Sequence, residues 1–158
     1  MTPTEIRAVV QRLNSTTVVG EEEAWNELRG LGEVVVPYLR EAYPTFKRWQ
    51  GRVSLVFHSI RYSRVSEDAF QLGLEASGDR VTVVRYRACG LLAYSLREDA
   101  LFQLNQLLHH EDAKTVADAR AAITAIKKRN HHLFVDRDGS GRSFWVVNEG
   151  DRCPVPVA

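Results

Sequence analysis

The stretch HHLFVDRDGSGRSFWVVN, residues 131–148, contains the side chains that most resemble a chemical site in this sequence. Four of them match the first, third, fifth and sixth positions of a calcium-binding loop: Asp136, Asp138, Ser140 and Gly141. The twelfth position, which should supply a bidentate carboxylate, is Val147, and the β-branched and aromatic residues around it do not continue as a helix. Asp-Gly and Ser-Gly between two apolar runs instead predict a β-hairpin.

Two histidine pairs, at 109–110 and 131–132, raise the question of a metal site. Adjacent residues point about 100° apart on a helix and to opposite faces of a strand, so neither pair is a natural bidentate ligand. We interpret all four as solvated histidines at helix ends, where an imidazolium suits the helix dipole. The sequence has no Walker lysine after a glycine-rich loop and no recognisable nucleophile grouping. It therefore predicts no catalytic residue, no metal and no cofactor.

Composition and charge indicate an ordinary soluble domain. The 158 residues carry a net charge of +1, too small to attract nucleic acid or a membrane over the whole surface. Residues 40–97, however, hold ten basic and five acidic side chains, a net of +5. We expect no signal peptide and no membrane span, because no apolar run is long enough. Cys89, in an apolar pattern, and Cys153, in the tail, predict no disulfide, an inert packed thiol at Cys89 and a cytoplasmic location.

An internal repeat predicts the elements that position these residues. SEDAFQL at 66–72 returns as REDALFQL at 97–104, and VRYRACGLL at 84–92 aligns with TVADARAAI at 115–123. The offset of 31 to 32 residues is typical of stacked helical hairpins, each too small to bury its own apolar face.

Capping signals and helical periodicity divide this single domain, residues 1–158, into four parts. They are an N-terminal helix, the helical repeats, a β-hairpin cap and a tail: residues 1–19, 20–129, 130–149 and 150–158. Thr2-Pro3-Thr4-Glu5 opens the first helix as a capping box. Three aromatic residues of the cap would cover the open end of the stack: Phe134, Phe144 and Trp145.

LRGLGEVVVPYLREA and DRVTVVRYRACGLLAYSLREDALFQL resemble HEAT repeats, of the short bacterial kind also found in phycobilisome-lyase relatives. The family pattern is an aspartate in the turn, then Val-Arg, alanine and paired leucines, and six residues match it: Asp79, Val84, Arg85, Ala88, Leu91 and Leu92. The resemblance, over residues 20–129, implies an all-α, right-handed α-solenoid of three to four helical hairpins. It also implies that Asp79 and Arg85 belong to a ladder between repeats, which is expected to end at Val116.

Two enzymatic HEAT families are precedents for chemistry on this fold. Deoxyhypusine hydroxylases bind two irons through several His-Glu dipeptides. This chain has one such dipeptide, His110-Glu111, in a turn, so we expect no dimetal site. HEAT-like DNA glycosylases hold damaged DNA in a concave groove, but this chain is short for that family and offers no matched catalytic carboxylate.

The sequence favours a non-enzymatic protein-binding module, an adaptor, regulator or toxin-immunity-type protein whose partner is another protein, by fold analogy alone. In HEAT solenoids the second helix of each pair lines the concave side, and its polar stripe is the expected contact surface: Tyr38, Arg40, Glu41, Gln71, Glu75, Gln103 and Gln106. The alternative is a nucleic-acid-binding HEAT-like protein, with or without glycosylase activity. It would use the basic block: Lys47, Arg48, Arg52, Arg61, Arg64 and Arg87. We favour a solvated basic surface, spent partly on intramolecular pairs, over that alternative.

Overall fold

Thr2 and Glu5 begin the first helix by bonding each other's backbone. The Thr2 hydroxyl accepts from the Glu5 N–H at 3.2 Å, and the Glu5 carboxylate accepts from the Thr2 N–H at 3.0 Å. This is the capping box that the sequence predicts, with proline in the first turn.

The computed structural model describes residues 1–152. They form eight α-helices: α1 (Pro3–Gln11), α2 (Val18–Leu28), α3 (Val36–Ala42), α4 (Trp49–Ser59), α5 (Glu67–Ala76), α6 (Thr82–Ser95), α7 (Leu101–Leu107) and α8 (Ala113–Lys127).

The helices pack in two layers, as expected for stacked helical hairpins. In one layer α4, α6 and α8 lie one against the next; in the other, α3 packs beside α5. Helix α1 covers the N-terminal end by packing on α2 and α3. None of the helices within residues 1–152 is long and apolar enough to cross a membrane.

One continuous apolar core runs between the layers from α1 to the C-terminal segment. Tyr94 and Phe70 are the largest of its fully buried side chains. A close approach between α5 and α6 depends on Gly73, since a Cβ there would clash with the side chain of Leu91. Burying a large apolar side chain contributes about 1.5–3 kcal/mol, so this core accounts for much of the stability of the stack.

Buried ion pairs join successive repeats. Arg52 in α4 donates to the Asp79 carboxylate in the turn before α6, at 2.8 and 3.2 Å. Arg85 in α6 donates to Asp112, the N-cap of α8, at 2.9 Å. Each arginine lies four residues after the N-cap of its own helix, so the contact repeats with the helices. Asp79 and Arg85 thus both belong to an inter-repeat ladder, and each has its charged partner in the neighbouring repeat.

The ladder changes polarity at its C-terminal end. Val116 occupies the next arginine position, four residues after the N-cap of α8, so the series of arginines ends where the sequence predicts. Two residues further along the chain, Asp118 accepts from Arg137 at 2.8 Å. Here the helix supplies the carboxylate and the C-terminal segment supplies the arginine, and the pair fastens that segment to α8.

The C-terminal segment, residues 130–152, is not the β-hairpin that the sequence predicts. It has two short 3-10 helices, His131–Phe134 and Glu149–Arg152, and the residues between them form no strand. Asp136 is buried, and its carboxylate accepts from the Ser140 hydroxyl and the Gly141 N–H, both at 2.7 Å. The Asp-Gly turn signal therefore marks a loop closed by its own aspartate.

Side chains also form hydrogen bonds with the backbone N–H and carbonyl groups that a β-ladder would need. The Trp145 N–H donates to Nδ1 of His132 at 2.9 Å, and the Trp145 carbonyl oxygen lies 2.9 Å from Nε2 of His131. The Val147 and Asn148 N–H groups donate to one carboxylate oxygen of Asp151. Because these donors and acceptors are satisfied locally, the segment lies against α6 and α8 as an irregular strap.

Candidate active site

Glu21 of α2 and His58 of α4 form a carboxylate–imidazole pair between two helices. The Glu21 carboxylate accepts from Nε2 of His58, and from the Ser54 hydroxyl at 2.8 Å. The hydrogen bond with His58 is the main cause that lowers the pKa of Glu21. An ionised carboxylate can only accept, so the shared proton belongs to Nε2 of the imidazole.

Trp25 and Phe57 fix the plane of the His58 ring. The Trp25 indole stacks on it, with ring centroids 3.9 Å apart and planes 12° from parallel, and the Phe57 ring meets it edge-on at 5.2 Å. His58 is 9% exposed. Glu21 and Trp25 are four residues apart on α2, as Ser54 and His58 are on α4, so each helix contributes one face to the pair.

His58 lines a cleft of about 110 Å³ between the end of α4 and the C-terminal segment. The other residues of its wall are mostly apolar: Phe57, Ile60, Arg61, Trp145, Val146 and Val147. Within residues 1–152, Nδ1 of His58 has no hydrogen-bond partner. Because Nε2 holds the proton, Nδ1 carries the free lone pair. A histidine that a carboxylate holds at one nitrogen, and that has no hydrogen-bond partner at the other, can act as a general base.

Two arginines give this region a positive charge. Arg61 lines the cleft beside His58, and Arg87 lines an adjoining cleft of about 30 Å³, which shares Ile60 and Trp145 with the first. The Arg87 guanidinium lies over the Phe57 ring, 4.8 Å from its centroid. We call the two adjoining spaces the His58 cleft. Two guanidinium groups beside a base suit an anionic ligand.

The six residues predicted for nucleic-acid binding do not lie together in the structure: Lys47, Arg48, Arg52, Arg61, Arg64 and Arg87. Arg52 forms a buried ion pair with Asp79, and Arg64 donates to the Tyr94 carbonyl oxygen at 2.7 Å. Lys47 and Arg48 precede the first turn of α4, whereas Arg61 follows its last turn. Arg61 and Arg87 each line one of the two adjoining spaces of the His58 cleft, so the basic block does not form one continuous surface.

The seven residues predicted to contact a protein partner lie in the α3, α5 and α7 layer: Tyr38, Arg40, Glu41, Gln71, Glu75, Gln103 and Gln106. Several hold the repeats together. Arg40 of α3 donates to Asp68 and Glu75 of α5, at 2.9 and 3.0 Å. Gln103 of α7 donates to the Ser77 hydroxyl at 3.0 Å. Their role in contacting a partner stays a prediction.

The histidine pair at 131–132 is buried, which corrects the prediction of solvated histidines. Each residue is 3% exposed. Arg64 donates to Nδ1 of His131 at 3.2 Å, and burial lowers the pKa of His131. The buried pair supports the C-terminal segment because its ring nitrogens bond the Trp145 backbone. His109 is exposed, as predicted, and Nδ1 of His110 accepts the Asp112 N–H at 2.9 Å.

The side chains of residues 1–152 do not fit a metal site. No group of three or more His, Cys, Asp or Glu residues in this part of the chain could hold an ion. The His110-Glu111 dipeptide lies in the turn before α8. Cys89 is fully buried, which raises the pKa of its thiol to about 12 and makes it an inert packing residue, as predicted. Cys153 lies outside the described residues.

No protein-family model and no curated protein matches this sequence. Among solved structures, the chain is similar to human deoxyhypusine hydroxylase in complex with glycerol, with a TM-score of 0.64 and 17% sequence identity. The match covers 79% of this chain and 44% of that chain, so this chain spans less than half the length of the enzyme. At this identity the likeness shows the fold, an all-helical HEAT-like stack.

The likeness contradicts two predictions from the sequence: that the chain is not an enzyme, and that it is a protein-binding module. The protein that shares its fold is an enzyme, and a scaffold role finds no support in the comparison. The dimetal chemistry of the deoxyhypusine hydroxylase family, however, finds no ligand set among residues 1–152.

The sequence prediction missed Glu21, Trp25, Ser54 and His58. Their only signal is the four-residue spacing within each helix, and many helical pairs have it. Glu21 and His58 are 37 residues apart, and their contact depends on how α2 is rotated against α4. That rotation follows from the packed core and not from local sequence.

Proposed function

We propose that this chain is an enzyme, or part of one, in which His58 acts as the general base of a cleft that takes an anionic substrate. The observation that carries the proposal is the Glu21–His58 pair at the wall of the cleft, with one ring nitrogen held by a carboxylate and the other without a hydrogen-bond partner among residues 1–152. The HEAT-like likeness to a solved enzyme supports the class and supplies no residue roles.

In this mechanism Nδ1 of His58 takes a proton from water or from a hydroxyl group of the substrate. The imidazolium that forms is stabilised by the Glu21 carboxylate through Nε2. Arg61 and Arg87 stabilise negative charge that develops as the nucleophile adds to an ester or phosphoester centre. The bond to the leaving oxygen then breaks, and the imidazolium returns its proton to that oxygen, so an alcohol leaves and His58 is neutral again. General-base catalysis of this kind typically contributes about 10²–10⁴-fold in rate.

No step of this proposal passes through a metal, because residues 1–152 offer no ligand group for one. The finer assignments from the sequence belong to the proposal as well. They are membership of the short bacterial HEAT kind, a right-handed solenoid of three to four hairpins, a single domain over residues 1–158, and a cytoplasmic location. The repeat offset of 31 to 32 residues supports the first two.

The test measures hydrolysis of three chromogenic probes: p-nitrophenyl acetate, p-nitrophenyl phosphate and the p-nitrophenyl ester of thymidine 5′-phosphate. We expect wild-type protein to hydrolyse at least one phosphorus or acyl ester, and His58→Gln to lose about 10²-fold or more of that rate. His109→Gln is the matched control, since His109 is exposed at the end of α7. Equal rates for wild type and both variants on every probe would contradict the proposal.

A further inference from the structure

Arg87 differs from the other partly or fully buried arginines because it has no acceptor in the part of the chain that the structure describes. Four such arginines each donate to a carboxylate: Arg40, Arg52, Arg85 and Arg97. Arg87 makes no ion pair within residues 1–152, and its Nε atom is buried without a hydrogen-bond partner. A buried donor without an acceptor costs free energy. Arg87 also lines the smaller space of the His58 cleft, where a bound anion would accept hydrogen bonds from its guanidinium.

The surface beside this guanidinium is aromatic. Arg87 lies over the rings of Phe57 and Tyr86, at 4.8 and 5.4 Å from their centroids. Phe57 is 47% exposed although it is a large apolar side chain, and Trp145 is half-buried across the cleft. Aromatic faces and guanidinium planes that adjoin in this way stack planar heterocycles.

The volume of the His58 cleft limits the size of the planar ring that can stack in it. The cleft beside His58 measures about 110 Å³ and the part beside Arg87 about 30 Å³. Pockets that enclose a whole small molecule are typically about 300–1,000 Å³. The His58 cleft is therefore sized for part of a ligand, such as one six-membered ring, while the charged part stays at the rim.

We infer that the His58 cleft binds a phosphorylated pyrimidine nucleoside, with the ring against Phe57 and Trp145 and the phosphate on Arg87 and Arg61. Phosphate is favoured over a single carboxylate because two guanidinium groups supply more donors than one carboxylate satisfies. This inference rests on the proposed function for the choice of cleft and deepens it by naming the substrate class. The site also differs from the α3, α5 and α7 layer in its charge. In that layer Arg40 pairs with two carboxylates, those of Asp68 and Glu75.

The test is calorimetric titration of the full chain carrying His58→Gln, so that binding is measured without turnover. The probes are uridine 5′-phosphate, uridine and ribose 5-phosphate. We expect the nucleotide to bind about tenfold or more tightly than either part, because stacking and phosphate contacts add. Adding Arg87→Gln or Phe57→Ala should each weaken nucleotide binding about tenfold. Arg120→Gln, an exposed arginine of α8 outside the cleft, should leave it unchanged.

Three results would overturn the inference. Ribose 5-phosphate binding as tightly as the nucleotide would indicate a simple anion site. If adding Arg87→Gln leaves the affinity for uridine 5′-phosphate unchanged, Arg87 does not bind the phosphate. A uridine tetranucleotide binding about tenfold more tightly than the mononucleotide would indicate single-stranded RNA instead. Because His58 is already replaced, a loss of catalysis in the probe assay cannot be mistaken for a loss of binding here.

Discussion

Trp25 lies flat against the His58 imidazole, with ring centroids 3.9 Å apart and planes inclined by 12°. The stack covers one face of the ring while Glu21 holds Nε2. The imidazole is thereby restrained in both plane and rotation before any ligand arrives. Such restraint is what a base in a small cleft requires, since proton transfer depends on placement within hydrogen-bond reach.

The first prediction concerns that stack. Replacing Trp25 with Leu keeps an apolar side chain but removes the stacked ring, and aromatic pairs contribute about 0.5–1.5 kcal/mol beyond burial. We expect Trp25→Leu to lower the free energy of unfolding by at least that amount in urea denaturation. Trp49→Leu is the control, because Trp49 is 43% exposed at the start of α4. Equal losses in the two variants would mean that the stack contributes nothing.

The second prediction concerns the ladder. In Asp79→Ala the Arg52 guanidinium, 7% exposed, stays buried without its carboxylate, and breaking such a pair costs about 3–5 kcal/mol. Asp68→Ala removes a pair in which both side chains are more than a third exposed, and should cost about 0–1 kcal/mol. Urea denaturation of both variants gives the comparison. Similar costs would show that the Asp79 rung is no more than a surface contact.

The third prediction is a pH dependence. Hydrogen bonds, first that from Thr82, lower the pKa of Asp112 from 3.8 to about 2. A carboxyl whose folded pKa is depressed stabilises the fold above its unfolded pKa, and this contribution is lost as pH falls through the folded value. Asp112→Asn keeps an N-cap residue but cannot ionise. We expect the stability difference between wild type and Asp112→Asn to shrink between about pH 4 and pH 2. A difference that stays constant over that range would contradict the assignment.

Much of the fold follows from the sequence because its signals are local or repeated. The capping box at Thr2 predicts where the first helix begins, and the repeated Glu-Asp-Ala predicts that two later helical segments begin with the same pattern. The resemblance to HEAT repeats also implies that Asp79 and Arg85 are ladder residues. Their partners come from neighbouring repeats, and a single motif does not specify that pairing.

The C-terminal segment shows why local signals fail elsewhere. Asp138-Gly139 and the residues SFWVV have hairpin propensity, but Asp151 and His132 bind the backbone groups of the second predicted strand. Those side chains reach their positions because α6 and α8 support the segment. Tertiary context therefore overrides β-propensity here, which is context-dependent in any case.

The fourth prediction concerns this segment. Asp151 is buried, and one of its carboxylate oxygens accepts from the Tyr94 hydroxyl at 2.7 Å and from two backbone N–H groups. Asp151→Ala leaves these donors unsatisfied, at about 1–3 kcal/mol for each that stays buried. We expect a clear loss of stability, and weaker nucleotide binding because Trp145 and Val147 line the cleft. Glu149→Ala, an exposed change in the same short helix, is the control. Equal free energies of unfolding for Asp151→Ala and Glu149→Ala would show that Asp151 does not fix the C-terminal segment in place.

The most direct test of the central claim is the reactivity of each histidine toward diethyl pyrocarbonate, which modifies an imidazole nitrogen that carries a free lone pair. Peptide mass spectrometry would follow each site at neutral pH, with exposed His109 and buried His131 as internal references. We predict that His58 is modified while His131 stays protected, and that modification abolishes hydrolysis of the chromogenic probes. Protection of His58 when His109 has fully reacted would contradict the claim that its Nδ1 is an open base.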